Sequence, residues 1–188
     1  MKNSFSCIKV LTMVALIVAV VSAVPVFAQE EAPKYEFFGG FSFMNLDKDT
    51  EGLDGSVRGW DTSFAFNLND RLAVVADVSG MYNSIEGIAD SSIKRHLFLG
   101  GVQYTKRYEK INIFGEVLAG FARANYSDRS SSGGYNGFAM AIGGGVDWKI
   151  NEKIGWRIAK IDYVPIRWDG ATTNHMRFST GILIPIGK

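Results

Sequence analysis

Nine ionisable side chains recur within segments that otherwise alternate between apolar and small residues. They are Glu36, Asp61, Asp77, Glu116, Asp147, Arg157, Lys160, Asp162 and Arg177. If one face of these segments is buried, the acids and bases on it must pair, because an unpaired buried charge is very costly. The set therefore predicts a buried charge network, which either plugs an interior or, if its pairs rearrange, lines a narrow or gated pore.

Residues suited to metal, thiol or cofactor chemistry are scarce. The chain has only two histidines, His96 and His175, and one cysteine, Cys7. This scarcity excludes most types of metal site that use His and Cys ligands. The run Gly143-Gly144-Gly145 lies inside an alternating pattern and opens no helix, so it does not predict a phosphate loop. We expect no cofactor. A formal net charge of +1 without a clustered basic face argues against a nucleic-acid partner.

The segment 1–28 has the pattern of a secretory signal peptide. A lysine-containing start is followed by a short apolar stretch and then by small residues before a polar segment. We place cleavage after Ala28, with Ala23 as a weaker alternative and an uncleaved membrane anchor as the other interpretation. Cleavage would remove Cys7, so the mature chain 29–188 would have no thiol and a formal net charge of about −1.

Period-two alternation of apolar with small or polar residues runs through most of the mature chain. Trp60, Phe64 and Phe66 share one face, for example, while Asp61 and Ser63 share the other. The pattern predicts eight strands, at 35–46, 57–68, 72–82, 93–107, 111–125, 137–149, 154–168 and 175–187. Strands of this length suit a tilted membrane crossing, and no apolar run in the mature chain is long enough for a spanning helix.

Short and long connections alternate between the predicted strands. The three short turns each carry an acid followed by a base, at Asp70-Arg71, Glu109-Lys110 and Glu152-Lys153. The four longer polar loops are predicted at 47–56, 83–92, 126–137 and 169–174. This hairpin repeat and the even strand count predict an all-β, eight-stranded antiparallel up-and-down barrel with both termini at the short-turn end.

Two classes of barrel fit the pattern, and they differ in which face lies inside. A soluble lipocalin-like barrel turns its apolar face inward, whereas a transmembrane barrel turns that face to lipid. The bulky, aromatic face suits lipid here, and the face rich in small residues suits a narrow lumen. Aromatic residues near both strand ends predict two interfacial girdles. They are Tyr35, Phe37, Tyr104, Trp148 and Trp156 at the short-turn end, and Trp60, Tyr82 and Trp168 at the loop end.

The seventh predicted strand breaks the alternation, because Arg157, Lys160 and Asp162 do not share one parity. A lipid-facing Lys or Arg near the bilayer midplane would cost about 2–4 kcal/mol. We therefore predict a β-bulge near Ala159-Lys160 that turns all three charges inward.

Four glycine-containing strand patterns carry a resemblance to a known family. They are Phe38-Gly39-Gly40-Phe41-Ser42-Phe43, Leu99-Gly100-Gly101-Val102-Gln103-Tyr104, Gly143-Gly144-Gly145-Val146-Asp147-Trp148 and Arg177-Phe178-Ser179-Thr180-Gly181. Together with the leader, the eight strands and the turn asymmetry, they make the mature chain resemble small outer-membrane β-barrels of the OmpA/OmpX type. The resemblance implies outer-membrane lipid, lipopolysaccharide and the barrel-assembly machinery as partners.

Two departures from that family limit what can be carried over. The chain ends Pro185-Ile186-Gly187-Lys188, without the terminal Phe that often serves as an assembly signal. We also expect no periplasmic domain after the barrel, so a peptidoglycan-anchoring role is not implied.

We predict a structural or surface-interaction role with a mostly closed lumen, and a narrow porin-like channel is the alternative. A lipid A-modifying enzyme is a further alternative, because such barrels use His, Ser and an acid near the outer rim. His96 and His175 fall near that end, but nothing in the sequence shows that they meet a serine and an acid. We expect a non-enzymatic protein whose extracellular ligand, if it has one, binds the four loops. Bases near the short turns, such as Lys106 and Arg107, are expected to contact anionic headgroups.

Overall fold

The computed structural model of the chain describes residues 32–45, 56–84, 92–128 and 131–187. These residues form eight strands: β1 Tyr35–Asn45, β2 Ser56–Asn67, β3 Leu72–Ser84, β4 Ser92–Arg107, β5 Ile111–Asp128, β6 Ser131–Lys149, β7 Gly155–Arg167 and β8 Thr172–Ile186. Each strand pairs antiparallel with the next, and β8 pairs with β1, so the sheet closes into a barrel. The predicted architecture is confirmed. The predicted signal peptide, 1–28, lies outside the described residues.

The alternation in the sequence becomes the two faces of the barrel wall. On β2, Asp61 and Ser63 are buried in the interior, whereas Trp60 and Phe64 are exposed on the outside. Large apolar side chains cover the exterior of every strand, among them Phe41, Phe64, Val74, Phe98, Val117, Ile142, Ile161 and Ile182. Such a surface is stable in lipid and not in water, so the barrel is of the transmembrane class. In the described ranges, no helix is long and apolar enough to cross a membrane.

The connection between β5 and β6 is much shorter than predicted. Most of the predicted loop 126–137 is paired strand, because the register between β5 and β6 continues out to Asp128 and Ser131. Serine and glycine are poor strand formers, but their backbone groups still pair across a hairpin when the flanking strands are already in register. The composition of this segment therefore led to a predicted end of β5 that is too early and a predicted start of β6 that is too late.

The connection between β7 and β8 also differs from the predicted loop 169–174. It is a four-residue turn, in which the Trp168 amide donates a hydrogen bond to the Ala171 carbonyl at 2.9 Å. Gly170 has a φ of 91°, a left-handed conformation that glycine adopts without a steric penalty. Of the predicted loops 47–56 and 83–92, the structure describes only residues 56, 83, 84 and 92, and these belong to strands.

A bulge interrupts β7 where the sequence predicted one. Arg157 lies opposite Gly181 of β8, whereas Lys160 lies opposite Ser179, so β7 carries one extra residue between these two positions. The pairing with β6 shifts at the same level, between Val146 and Asp147. The extra residue reverses the parity, so that Arg157 and Lys160 point into the barrel on the same side.

Aromatic side chains lie outside the barrel near both ends. At the short-turn end, Tyr35 stacks on Phe64 and Phe66 with ring centroids 5.6 and 5.5 Å apart, and Trp148 lies 6.4 Å from Trp156. Phe37 and Tyr104 are exposed at this end too, and Trp60 and Tyr82 are exposed at the other. Trp168 departs from the predicted girdle, since it packs against the interior cluster and donates to Thr173 Oγ1 at 3.2 Å.

Introducing a charge on the outer face of the barrel tests whether that face lies in lipid. Val117 is exposed midway along β5, and Ile150 is exposed in the turn after β6. We expect Val117→Arg to lower the free energy of unfolding in a bilayer by about 2–4 kcal/mol and Ile150→Arg by about 0–1 kcal/mol, because the cost falls toward the interface. Denaturant titration of the refolded variants measures both. Equal small effects would instead fit a barrel whose outer face meets water.

Candidate functional site

The interior is built from the inward-facing positions of all eight strands, and its middle holds a compact group of charges. We call this group the central cluster: Asp61 of β2, Asp77 of β3, Glu116 of β5, Lys160 and Asp162 of β7, and Arg177 of β8. All six side chains are buried. The cluster therefore links five of the eight strands, and it joins walls that are not neighbours in the sheet.

Lys160 lies at the centre of this cluster. Its Nζ is 2.6 Å from Asp77 Oδ2 and 2.9 Å from Glu116 Oε1. Asp61 Oδ2 and Asp162 Oδ2 lie 3.7 and 3.8 Å from the same nitrogen. A fully buried ammonium is stable only when carboxylates replace its hydration shell, and four of them do so here.

Arg177 is the second cation of the cluster and bridges two of the same acids. Its Nη1 donates to Asp77 Oδ1 at 2.8 Å, and its Nη2 donates to Asp162 Oδ2 at 2.7 Å. Nη1 also donates to Ser79 Oγ at 3.0 Å. The planar guanidinium holds carboxylates from β3 and β7 in fixed directions, which a single-point ammonium could not do.

The central cluster contains four carboxylates and two cations, so its formal charge is negative. Both oxygens of Asp61 and Oδ1 of Asp162 are buried and accept no hydrogen bond from the described residues. Each cation is therefore shared among several acids, and neither can be removed without leaving buried carboxylates uncompensated. Within the described residues, no group of His, Cys, Asp and Glu has the arrangement of a metal site.

Gly143 of β6 makes room for this cluster. A Cβ at this position would collide with the Asp162 carboxylate and with the backbone carbonyl of Ile161. The glycine is therefore required by the close approach of a buried charge, and not by an unusual backbone angle.

A second ion pair lies on the short-turn side of the central cluster. Arg157 donates to Asp147 through Nε at 2.7 Å and through Nη2 at 3.0 Å. Its guanidinium lies between two buried rings, 4.6 Å from the centroid of Phe38 and 4.2 Å from that of Phe114. The bidentate pair and the two cation–π contacts fill the cross-section of the barrel at this level.

A third ion pair lies at the short-turn end of the interior. Arg107 donates to Glu36 Oε1 at 2.7 Å and to Asn67 Oδ1 at 3.0 Å. The prediction that Arg107 contacts lipid headgroups is wrong, because this side chain is buried in the interior. Glu36, Arg107, Asn112 and Asp147 line part of a cavity of about 290 Å³ at this end.

The loop-end half of the interior is mostly apolar, with Arg95, Thr173 and His175 as buried polar exceptions, and the alternation did not predict this apolar layer. Buried side chains here pack into one cluster, which includes Met44, Val57, Met81, Leu97, Leu118, Val164 and Ile166. An eight-stranded barrel is only wide enough for its own side chains, so these residues fill the lumen. The interior is therefore layered, with ion pairs from the middle to the short turns and an apolar layer between the central cluster and the loops.

The two histidines lie on opposite faces of the barrel wall. His175 is buried inside, 3.3 Å from Arg95 Nη1 and 2.9 Å from Thr173 Oγ1. His96 lies on the outside, 3.4 Å from the hydroxyl of Tyr82. Ser179 also lies inside, where its hydroxyl donates to Ser42. The two rings therefore cannot act on one substrate as a pair.

The structure brings all nine sequence-predicted charges into the interior and adds Arg95, Arg107 and His175 to them. The alternation of β4 carries a signal that could have identified the first two. Gln103 and Thr105 alternate with the apolar Val102 and Tyr104, and the parity of Gln103 continued in both directions reaches Arg107 and Arg95. His175 has the parity of Arg177 on β8.

Comparisons with known proteins find likenesses in structure alone. No protein-family model and no curated protein matches the sequence. Neisserial surface protein A, NspA, is similar with a TM-score of 0.69 and 12% identity, over 84% of this chain and 100% of that one. Ail, the attachment invasion locus protein of Yersinia pestis, is similar with a TM-score of 0.58 and 16% identity, over 81% of this chain and 99% of that one. The outer membrane protein OprG from Pseudomonas aeruginosa is similar with a TM-score of 0.54 and 15% identity, over 85% of this chain and 99% of that one.

Removal of the central ammonium tests the role of the network. We expect Lys160→Met to lower the free energy of unfolding by about 3–5 kcal/mol, because it leaves buried carboxylates uncompensated. The exposed turn residue Lys110 gives the matched control, and Lys110→Met should change stability by less than about 0.5 kcal/mol.

A second substitution shows whether the loss of stability in Lys160→Met comes from uncompensated charge or from altered packing. If uncompensated charge is the cause, adding Glu116→Gln to Lys160→Met should restore part of the lost stability. Denaturant unfolding of the refolded proteins measures all four variants, including Glu116→Gln alone. A Lys160→Met protein as stable as the unmodified chain would contradict the electrostatic account.

Proposed function

The chain has the eight-stranded fold of OmpA/OmpX-like outer-membrane barrels, and from it we propose an integral outer-membrane protein with a closed, ion-paired lumen. Its role in this proposal is structural or surface-interacting and not enzymatic. The termini and the three short turns face the periplasm, and the opposite end faces outward. In this proposal the signal peptide directs the chain to the envelope and is removed by cleavage after Ala28.

The observation that carries the closed lumen is the layered filling of the interior. An ion entering from the loop end would have to pass the buried Arg95 and His175 and the apolar layer formed by Met44, Leu97, Ile166 and their neighbours. It would then meet Lys160 and Arg177, which are already held by carboxylates at 2.6 to 2.9 Å. Passage would require both layers to open, and breaking buried ion pairs is costly. A narrow porin-like channel is therefore the less favoured function.

The surface-interaction part of the proposal rests on the exposed end of the barrel. Loops at the end of a rigid barrel are free of packing demands and can vary to bind partners. Two structurally similar proteins have names that fit such a role, since NspA is called a surface protein and Ail an attachment invasion locus protein. A ligand of this chain would bind at the β1–β2 and β3–β4 connections, because the other two are short.

The lumen is tested by electrical recording. We expect the refolded mature chain to give no reproducible conductance steps in a planar bilayer, because the apolar layer and the central cluster block the path. Circular dichroism and protease protection establish that the same protein is folded and inserted.

Two substitutions of acidic residues show whether any recorded current passes through the lumen. Glu116→Gln changes the central cluster, whereas Glu109→Gln changes an exposed turn and is the matched control. Discrete steps in the unmodified protein whose size responds to Glu116→Gln but not to Glu109→Gln would replace the closed barrel with the channel.

A further inference from the structure

Near the loop end of the lumen, a connected group of polar side chains surrounds the buried ring of His175. Its Nδ1 lies 2.9 Å from the Asn45 carbonyl oxygen, and its Nε2 lies 2.9 Å from Thr173 Oγ1 and 3.3 Å from Arg95 Nη1. Trp168 closes the group, since its Nε1 donates to Thr173 Oγ1 at 3.2 Å and its ring centroid is 5.8 Å from the Arg95 guanidinium. We call these five residues the loop-end polar group.

The loop-end polar group joins the roots of the two connections at which we place a ligand. Asn45 is the last residue of β1, where the β1–β2 connection begins, and Arg95 lies close to the start of β4, where the β3–β4 connection ends. Regular pairing of β1 with β8 stops one residue before Asn45. Beyond that point, β8 holds Asn45 through the His175 ring and through the Met176 amide, which donates to Asn45 Oδ1. Through its other ring nitrogen, His175 connects this root to Arg95 and hence to β4.

The contacts of the His175 ring define its protonation state. A carbonyl oxygen only accepts, so Nδ1 carries a hydrogen and donates it to Asn45, whereas an arginine nitrogen only donates, so Nε2 presents its lone pair to Arg95. This is the neutral imidazole. A proton added at Nε2 would make that nitrogen a donor and place a positive charge beside the Arg95 guanidinium. Protonation therefore breaks the contact with Arg95 and keeps the one with Asn45.

Among the described residues, the charged groups that face the ring are cations. Arg95 faces it from β4, and Arg177, the next inward-facing residue along β8, is already held by carboxylates of the central cluster. From β7, the apolar Val164 lies opposite, and β1 contributes the neutral Asn45. The acid of the β7–β8 turn, Asp169, is exposed to solvent. A protonated ring would thus add a third positive charge to this side of the lumen.

The other histidine of the chain has different surroundings. His96 lies on the outside of the wall, where its Nε2 is 3.4 Å from the Tyr82 hydroxyl. A phenolic hydroxyl both donates and accepts, so this contact is compatible with either protonation state of His96. Acid should therefore change the contacts of His175 and leave those of His96 in place, which makes His96 a control within the same molecule.

We propose that His175 is a pH-sensitive latch between the roots of the β1–β2 and β3–β4 connections. Neutral His175 joins Asn45 to Arg95 and holds the two roots at a fixed separation. Protonated His175 releases Arg95, so that the roots move independently once the pH falls through the range of about 8 to 5 in which imidazole changes its charge. This inference rests on the ligand-binding role proposed above for these connections and adds a regulation to it.

The experiment measures the separation of the two roots in the inserted barrel. The predicted mature chain 29–188 contains no cysteine, so Ser56→Cys and Ser92→Cys, at the starts of β2 and β4, provide two unique sites for spin labels. Double electron–electron resonance on the refolded protein in phosphatidylcholine nanodiscs gives the distribution of distances between the labels. We expect this distribution to be at least about twofold broader near pH 5 than near pH 7.5, because the imidazole is charged only at the lower pH.

Two single substitutions in the labelled protein assign the response to one ring. His175→Gln cannot take up a proton, so its distance distribution should be the same at both pH values. His96→Gln is the matched control and should respond to acid as the unmodified chain does. In unlabelled His96→Gln protein, ¹⁵N NMR of labelled histidine reports the His175 ring alone. It should show hydrogen on Nδ1 near neutral pH and on both nitrogens in acid.

Several results would overturn the proposal. They are an unchanged distance distribution in the unmodified chain, an acid response that persists in His175→Gln, a response lost in His96→Gln, and hydrogen on Nε2 near neutral pH. Because no ligand enters these measurements, their failure is distinct from failure of the proposed function, which lumenal conductance steps would contradict. Protease protection of the nanodisc samples establishes that the barrel is inserted at both pH values.

Discussion

A closed sheet of eight strands leaves an interior no wider than the side chains that fill it, and charges placed there must compensate one another. Lys160 and Arg177 meet this requirement by sharing carboxylates from β2, β3, β5 and β7. The shared acids tie together strands that do not pair in the sheet. The hydrogen bonds of the wall fix only nearest neighbours, so the cluster supplies the link across the barrel.

The bulge in β7 is a consequence of the same constraint. Arg157 and Lys160 are three residues apart, and a regular strand would turn one of them to lipid. One extra residue between them brings both inside, where Arg157 reaches Asp147 and Lys160 reaches Asp77. A local irregularity in the ladder thus removes a lipid-facing charge and supplies a cation to each of two interior layers.

The residue composition of the outer surface changes from the middle of the barrel to its two ends. Apolar side chains cover the middle, aromatic residues collect toward the ends, and charges are tolerated at the rims.

The strand count, the outward apolar face and the need for a bulge in β7 were determined by the sequence itself. They depend on period-two alternation and on the cost of a charge in lipid, and both are local properties that can be read residue by residue. Loop lengths were not predictable in this way, because pairing of β5 with β6 extended through a run of Ser and Gly whose composition is typical of a loop.

Which charges meet inside was decided only by the tertiary structure. Lys160 and Asp77 are 83 residues apart, and their contact depends on the closure of the barrel and on the stagger of strands across the lumen. The same applies to Arg107 with Glu36, and to the apolar layer of Met44, Leu97 and Ile166. Alternation tells which face a residue occupies, but the level at which inward side chains meet is set by the register of all eight strands together.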